Sequence, residues 1–167
     1  LKQTLVLKGF PGSKINIVPI GIDPQVFKPS NTGEEIKPSF RLITVARLVD
    51  LKGIDYGIQV VKRLVDKGHN VNYSIVGEGP EEKRLKATCK VFGIETKVQF
   101  LGKKSQPQIK SLLEDHHLLF MTSTIDKDGR REAFGVVSLE AQAMGLPVVG
   151  FKSGGFPETV VDGVTGF

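Results

Sequence analysis

Short apolar runs and stretches of helical periodicity alternate along the chain from residue 41 onward. The apolar runs are rich in β-branched residues, as buried strands are, and the stretches between them repeat apolar residues every three or four positions, as amphipathic helices do. The pattern predicts five strands, at 41–46, 71–76, 98–101, 118–121 and 147–151. It also predicts four helices, at 54–67, from Pro80 to about Phe92, from Ser105 to Leu113, and from Ala133 or Phe134 onward.

Strands that alternate with helices through short, Gly-rich turns form parallel sheets with right-handed crossovers. The sequence therefore predicts the α/β class, with a Rossmann-like, doubly wound parallel sheet. Ligands bind such sheets at the carboxyl ends of the strands. The residues expected to contact a ligand are then those that follow each strand, at 47–52, 77–80, 102–105, 122–135 and 152–156.

The first part of the chain does not follow this alternation. Residues 14–19 are predicted to be extended, and residues 24–38 are loop-rich. We expect residues 1–20 to be a connection from a preceding domain, and residues 21–167 to form one domain. We expect that domain to be cut at its C-terminal end, because residues 163–167 resemble the beginning of a further strand.

Composition narrows the class of protein only modestly. Of the 167 residues, 40% are hydrophobic and 25% are charged, which is ordinary for a globular domain. No apolar run approaches the ~18 residues of a membrane-spanning helix. The single cysteine, Cys89, excludes an internal disulfide and fits a reducing compartment. A net charge of +5 is spread along the chain, which indicates a mildly basic surface or, alternatively, attraction for an anionic ligand or lipid headgroup.

Two cations follow the first predicted strand. Arg47 and Lys52 lie five residues apart, at a strand end and just before a helix, and Gly53 allows the backbone to come close to a ligand. A guanidinium binds phosphate with two parallel hydrogen bonds, and an ammonium binds it as a point charge. The pair can converge on a diphosphate, but two solvated charges in a loop would have the same spacing.

Other motifs carry weaker signals. The Gly77-Glu-Gly79 turn lacks the third glycine of a dinucleotide-binding fingerprint, so a tight turn is the better interpretation. Residues 126–129 lack the third oxygen ligand that a calcium loop has before its glycine, and no glutamate stands six residues after that glycine. His116 and His117 precede a strand, at the edge opposite the expected ligand, and are predicted to be structural. The Cys89 thiol is predicted to lie in the core.

Two glutamates, Glu132 and Glu140, flank the beginning of the last predicted helix. If that helix begins at Ala133 or Phe134, its first amides attract an anion. Eight helical residues span about 12 Å, so the two carboxylates can bracket an elongated ligand with phosphate at its centre and hydroxyl groups at both ends, as in a sugar nucleotide. The alternative is a helix-start acid at Glu132 and an ion pair at Glu140.

Six stretches together resemble the retaining glycosyltransferases of family 4, also called glycosyl transferases group 1, which have the GT-B fold. The resemblance runs from about Gly12 to Phe167. It rests on residues 14–23 (KINIVPIGID), 46–53 (ARLVDLKG), 75–80 (IVGEGP), 98–102 (VQFLG), 132–140 (EAFGVVSLE) and 154–166 (GGFPETVVDGVTG). It implies that the chain is the C-terminal half of a GT-B fold, with residues 1–20 leading from an N-terminal acceptor domain into a nucleotide-sugar-binding domain.

The resemblance also implies roles for individual residues. Arg47 and Lys52 would contact the donor diphosphate, Glu132 would lie at the donor sugar, and Glu140 would hydrogen-bond the ribose. In this scheme Arg47, Lys52 and Glu132 are the catalytic residues. The remaining donor-binding positions would be the backbone amides of Phe134, Gly135, Val136 and Val137, with the base near Gly77, Leu101 and Lys103. The two cations would do what a metal does elsewhere, so neither a metal ion nor another cofactor is expected.

The implied reaction moves a sugar from a UDP-, GDP- or ADP-linked donor to an acceptor sugar or lipid-linked glycan, with retention at the anomeric carbon. This chain alone is expected to bind nucleotide without transferring sugar. No nucleic-acid partner is expected. The setting would be the cytoplasm of a bacterium, in polysaccharide or glycoconjugate synthesis, and the scheme allows contact with the inner face of the membrane.

Three residues depart from the family pattern: Ile20 replaces Asn in the turn before the domain, Ala133 replaces Gly, and Thr122 replaces Pro, which is expected to have little mechanistic weight. Alternatives to the transferase are half of a GT-B epimerase or phosphorylase, and a non-catalytic nucleotide-binding module. A NAD-dependent enzyme is disfavoured by the incomplete glycine pattern.

Overall fold

A computed structural model describes residues 2–18, 20–29 and 39–167. Ten helices and strands cover these ranges, together with short 3-10 turns at Gly12–Lys14, Asp50–Lys52 and Phe156–Glu158. In chain order they are α1 (Lys2–Leu7), β1 (Phe40–Val45), α2 (Ile54–Asp66), β2 (Val71–Val76), α3 (Glu82–Phe92), β3 (Val98–Gly102), α4 (Gln106–Asp115), β4 (Leu118–Met121), α5 (Val136–Ala143) and β5 (Val148–Gly150).

The five strands form one sheet in the order β3-β2-β1-β4-β5. Every pair of neighbouring strands is parallel. The order reverses direction next to β1, as it does in doubly wound sheets, so β1 and β4 flank the point where a ligand is expected. The predicted α/β class and the five predicted strands are confirmed, each to within two residues at either end.

Apolar side chains cover both faces of the sheet, so the strands are rich in apolar residues. One core cluster packs β1, β2 and β3 against α2 and α3, and Ile58, Tyr73 and Leu85 are fully buried in it. The other core cluster packs β1 and β4 against α4 and α5 and includes Leu119 and Ala141. These two layers hold the strand ends rigidly and so fix the loops that follow them.

Helix boundaries follow the expected capping residues in several places. Ser105 caps α4 in a reciprocal arrangement with Gln108. Gly93 ends α3 in the left-handed conformation. The predictions were wrong in two places here, since α3 begins at Glu82 rather than Pro80 and α4 continues to Asp115.

The N-terminal segment differs from the prediction. Residues 2–7 form α1, which the apolar pattern did not reveal, and α1 buries none of its side chains. Residues 15–18 form neither helix nor strand, so the predicted extended piece pairs with nothing there, and Pro19 lies outside the described residues. Most of the predicted loop at 24–38 also lies outside them. At the other end of the chain, Gly166 forms a parallel bridge with Val148. In the described ranges no helix is both long and apolar enough to cross a bilayer.

Candidate functional site

A cleft of about 180 Å³ lies at the carboxyl edge of the sheet, where β1 and β4 end. Lys52 and Glu132 enter it from different loops, and the first residues of α5 form one wall. The described residues that line the cleft are Thr44, Val45, Ala46, Lys52, Phe120, Met121, Thr122, Ser123, Glu132, Gly135, Val136 and Val137. The structure thus places a cation, a carboxylate and a helix N-terminus at the point that the strand order indicates.

Lys52 is held by the loop that follows β4. The Thr122 hydroxyl donates a hydrogen bond to the Lys52 carbonyl oxygen, with the two oxygens 3.1 Å apart. The Thr124 amide donates to the Leu51 carbonyl oxygen at 2.9 Å. These two bonds tie the β1 and β4 loops together. The Thr122 side chain therefore anchors the backbone at Lys52, one of the predicted donor-binding residues.

Glu132 forms an ion pair with Lys52, and the Ser123 hydroxyl donates to the same carboxylate oxygen, Oε2, at 3.0 Å. Burial raises the pKa of Glu132, but the hydrogen bond and charge of Lys52 lower it, with help from Ser123 and the Ala133 amide. The lowering effects prevail, so the pKa of Glu132 lies below its ordinary value. The carboxylate is therefore ionised at neutral pH and already partnered.

The backbone beneath Glu132 is fixed by the Gly154–Gly155 segment. The Gly155 amide donates to the Glu132 carbonyl oxygen at 3.0 Å. A Cβ atom on Gly154 would lie 1.9 Å from that same oxygen, so only glycine allows this approach. The sequence match at residues 154–166 therefore has a physical basis: its glycines support the backbone that carries the cleft carboxylate.

The helix behind the cleft begins later than expected. Gly135 caps α5 in the left-handed conformation, with φ at 83°, and α5 runs from Val136 to Ala143. The prediction that the helix begins at Ala133 or Phe134 was wrong, so the span of about 12 Å from Glu132 to Glu140, which assumed a continuous helix, does not apply. No described group accepts a hydrogen bond from the Val136 or Val137 amide. These amides can bind an anion, and the helix dipole favours it.

Glu140 lies half-buried on α5, and its carboxylate has no hydrogen-bond or ion-pair partner among the described residues. Burial raises its pKa. The ion pair that the alternative interpretation assigned to Glu140 is therefore not formed with any described residue. A half-buried carboxylate without a partner is costly to the free protein and suits a ligand that brings hydroxyl groups to it.

Arg47 lines a neighbouring cleft of about 190 Å³ on the other side of the same loop. Asp126, Lys127 and Arg130 contribute to that cleft from the loop after β4. The Asp126 carboxylate accepts hydrogen bonds from the amides of Asp128 and Arg130 and from the Arg130 side chain. Asp126 thus closes a turn. The structure does not bring the Arg47 side chain into the cleft that contains Lys52 and Glu132.

The other predicted donor-binding residues lie along the same edge of the sheet. Gly77 follows β2, and its amide donates to the Gly102 carbonyl oxygen at 2.9 Å. Leu101 is half-buried near the end of β3, Lys103 is exposed just beyond it, and Phe134 is half-buried before α5. None of these four, nor Glu140, is among the described residues that line the two clefts.

Sequence analysis placed Thr122, Ser123 and the Gly154–Gly155 pair within the ranges expected to contact a ligand, 122–135 and 152–156, but assigned none of them a contact in the site. The sequence contains no spacing signal for them, because their partners lie far away along the chain: Thr122 is 70 residues from Lys52. Within the described ranges no group of three or more His, Cys, Asp or Glu side chains is arranged to hold a metal ion. Cys89 is buried, as predicted.

The sequence matches a known family over most of its length. The family described as glycosyl transferases group 1 matches residues 29–167. The amylovoran biosynthesis glycosyltransferase AmsK of Erwinia amylovora is 32% identical over 166 residues, and the match covers 99% of this chain and 40% of the relative. This chain therefore spans less than half the length of that relative.

Solved structures give the same result for the fold. Anabaena Alr3699/HepE, in complex with UDP and glucose, has a TM-score of 0.82 at 26% identity, over 99% of this chain and 46% of that one. The C-terminal domain of the group 1 family protein LpcC from Francisella tularensis has a TM-score of 0.73 at 24% identity, over 88% of this chain and 78% of that one. The predicted C-terminal half of a GT-B fold is thereby confirmed. The chain belongs to the glycosyl transferases group 1 family.

Proposed function

We propose that this chain is the donor-binding domain of a retaining glycosyltransferase, which uses a nucleotide-diphosphate sugar. The observation that carries the proposal is the cleft at the ends of β1 and β4, where the Lys52 ammonium faces the unpaired amides at the beginning of α5. An ammonium and a helix N-terminus both bind phosphate. Alr3699/HepE has the same fold and was solved with UDP, which supports a nucleotide as the ligand.

The diphosphate binds by exchange of partners. In the free chain Lys52 is paired with Glu132, and a diphosphate carries more negative charge than one carboxylate, so it draws Lys52 away. The amides of Gly135, Val136 and Val137 and of Phe134 complete the phosphate site. Arg47 is the second cation, and because its exposed side chain belongs to the same loop, it is free to turn from the neighbouring cleft toward the phosphates.

The two ends of the donor are held by carboxylates. Glu132, once released from Lys52, accepts hydrogen bonds from hydroxyl groups of the donor sugar. Glu140 accepts from the ribose hydroxyls, which gives its unpartnered carboxylate the donors that it lacks in the free chain. The base lies toward Gly77, Leu101 and Lys103, along the same edge of the sheet.

In the proposed reaction the acceptor hydroxyl approaches the anomeric carbon from the face that the diphosphate leaves. The bond from that carbon to the diphosphate oxygen breaks, a bond to the acceptor oxygen forms, and the acceptor proton passes to the diphosphate. Lys52 and Arg47 stabilise the charge that develops on the diphosphate, so no divalent ion is needed. The acceptor is a sugar or lipid-linked glycan held by an N-terminal domain, so this chain alone binds donor without transferring sugar.

The biological setting is part of the same proposal. AmsK takes part in amylovoran biosynthesis, which supports a role in polysaccharide or glycoconjugate synthesis in a bacterium. The one cysteine of the chain is a free, buried thiol, which fits a reducing compartment such as the cytoplasm. We propose that the protein works in the cytoplasm, at the inner face of the membrane.

The test is a calorimetric titration of the chain with UDP, GDP and ADP, each with and without EDTA. We expect one nucleotide to bind, EDTA to leave its affinity unchanged, and Arg47→Ala and Glu140→Ala each to weaken binding about 10-fold, the effect of losing one hydrogen bond to a charged group. Failure of all three nucleotides to bind would refute the donor site. A loss of binding in EDTA would refute the role given to the two cations.

A further inference from the structure

Ser123 occupies a position that the proposed exchange of partners makes important. Its hydroxyl and the Lys52 ammonium both donate to Glu132 Oε2. Ser123 is buried in the first turn of the loop after β4, and the Thr122 and Thr124 bonds to the Lys52 loop hold it on both sides. Its hydroxyl is therefore fixed on the carboxylate whether or not Lys52 remains there.

We propose that Ser123 is a positioning residue that keeps Glu132 oriented and ionised after Lys52 has moved to the donor diphosphate. This inference rests on the proposed donor site and adds a residue to it. Without Lys52, the half-buried Glu132 carboxylate keeps only the Ser123 hydroxyl and the Ala133 amide as donors from the protein. A buried carboxylate that has lost its cation depends strongly on the hydrogen bonds that are left.

The charges around Glu132 make this dependence measurable. Lys52, from the turn before α2, is the one charged group in the described part of the chain that affects the pKa of Glu132, and Ser123 and Ala133 act on it through hydrogen bonds. When Lys52 leaves, burial remains and the pKa of Glu132 rises. If Ser123 is also absent, it rises further, and nucleotide binding then takes up protons from solution.

The experiment measures UDP binding to the 167-residue chain by calorimetry between pH 5.5 and pH 8, in two buffers of different ionisation enthalpy so that protons are counted. We expect Ser123→Ala to weaken UDP binding about 10-fold at pH 8, and less at pH 5.5, where a proton replaces the missing hydrogen bond. Proton uptake at pH 5.5 should exceed that of the wild type by about half a proton. UDP itself titrates in this range, so each variant is compared with the wild type at the same pH.

Three variants make the result specific. Ser123→Thr keeps the hydroxyl and should restore the wild-type pH profile. Ser74→Ala removes a half-buried hydroxyl that hydrogen-bonds His116 away from the cleft, and should leave UDP affinity and proton uptake unchanged. In a Glu132→Gln background, Ser123→Ala should no longer alter proton uptake, because the titrating group is gone.

The outcomes separate this inference from the donor site itself. If UDP binds the wild type and Ser123→Ala gives the same affinity and proton count as Ser74→Ala, the positioning role is refuted and the donor site stands. If UDP, GDP and ADP all fail to bind the wild type, both proposals fall. Thermal unfolding of each variant, followed by circular dichroism, shows whether a loss of binding reflects a loss of folding.

Discussion

The two edges of the sheet both carry polar side chains, but they differ in how fully these groups are matched to one another. There, the His117 Nδ1 atom accepts the Arg41 amide at 2.8 Å. His116 uses both ring nitrogens, to the Leu112 carbonyl oxygen at 2.6 Å and to the Ser74 hydroxyl at 2.8 Å. The Arg41 guanidinium lies 3.2 Å from Asp115, although its Nε atom has no partner. This edge is structural, as the sequence predicted for the two histidines.

At the carboxyl edge the polar groups are left partly unmatched. The Glu140 carboxylate and the Val136 and Val137 amides have no partner among the described residues, and the Lys52–Glu132 ion pair joins two groups that the proposal assigns to a ligand. Half-buried polar groups without a protein partner are free to hydrogen-bond a ligand, so these groups indicate where a ligand completes the structure. The comparison predicts that variants at the carboxyl edge change binding, and variants at the amino edge change stability.

Lys52→Ala should have the largest effect on binding. It removes the cation nearest the beginning of α5 and the counter-charge of Glu132, so we expect nucleotide affinity to fall about 100-fold, the upper range for one interaction between charged groups. Calorimetric titration with UDP, GDP and ADP measures it. The matched control is Lys90→Ala at the end of α3, an exposed lysine of the same charge, which should leave affinity unchanged. Equal effects of the two variants would mean that only net charge matters.

His116→Ala should show the opposite behaviour at the amino edge. It leaves the Ser74 hydroxyl and the Leu112 carbonyl without their partner, so we expect the free energy of unfolding to fall by about 1–3 kcal/mol. Urea unfolding measures the change. Nucleotide affinity, measured under conditions where the variant is folded, should stay within about twofold of the wild type. A large loss of affinity would show that the two edges are coupled and would break the comparison.

Much of the fold was predictable from the sequence, because buried strands and helices leave local patterns of apolar residues. Strand β4 matches its predicted range because it is an uninterrupted apolar run, as a parallel strand buried on both faces is, and β2 matches because buried apolar residues alternate with Asn72 and Ser74. The α1 helix was missed because its six residues bury nothing and so leave no periodic pattern. The start of α5 was misplaced because Gly135 takes the left-handed conformation and the helix begins only after it; a Cβ atom there would lie 2.7 Å from the Met121 side chain, a contact in another element that local sequence does not reveal.

The site was predictable in its residue types but not in its contacts. Arg47, Lys52, Glu132 and Glu140 could be proposed because charged residues follow strand ends and flank a helix start. The Lys52–Glu132 pair spans 80 residues, so no local spacing predicts it. Residue type alone also places Arg47 and Lys52 together, whereas the structure puts their side chains in neighbouring clefts.

Acid should lower the free energy of unfolding in two pH ranges, one for a group at each edge. Burial lowers the pKa of His116 below its ordinary 6.5, so the unfolded chain binds that proton more tightly and stability falls as the pH drops below 6.5. The pKa of Glu132 lies below its ordinary 4.5, so its stabilising contribution is present above pH 4.5 and is lost as the pH falls through its lower value in the folded chain. Unfolding free energies between pH 7.5 and 3.5 should therefore show two steps.

Two substitutions show which residue causes each loss of stability. His116→Ala should remove the loss that begins near pH 6.5 and keep the lower one, whereas Glu132→Gln should reduce the lower loss and keep the upper. Asp126 accounts for the rest of the lower loss, because its pKa is raised by desolvation but lowered more by hydrogen bonds from Arg130 and Asp128. If both variants alter the same step, the assignment of these losses to separate edges is wrong.

Glu140→Gln should have the smallest effect. The sign of its change in stability distinguishes the two edges most directly. Burial raises the pKa of Glu140 above its ordinary 4.5, so the ionised carboxylate costs stability above that value and the protonated form does not. Glutamine has the same shape without the charge, so at pH 7.5 the variant should be more stable than the wild type, by on the order of 0.5 kcal/mol. At pH 4 this gain in stability should disappear, whereas at pH 7.5 the variant should bind nucleotide more weakly than the wild type.

Glu158 is exposed, so Glu158→Gln is the control and should change neither stability nor affinity. A substitution that stabilises the free chain and weakens the complex identifies a side chain that acts in ligand binding. If Glu140→Gln instead destabilises the chain, this carboxylate is structural, like the groups at the amino edge.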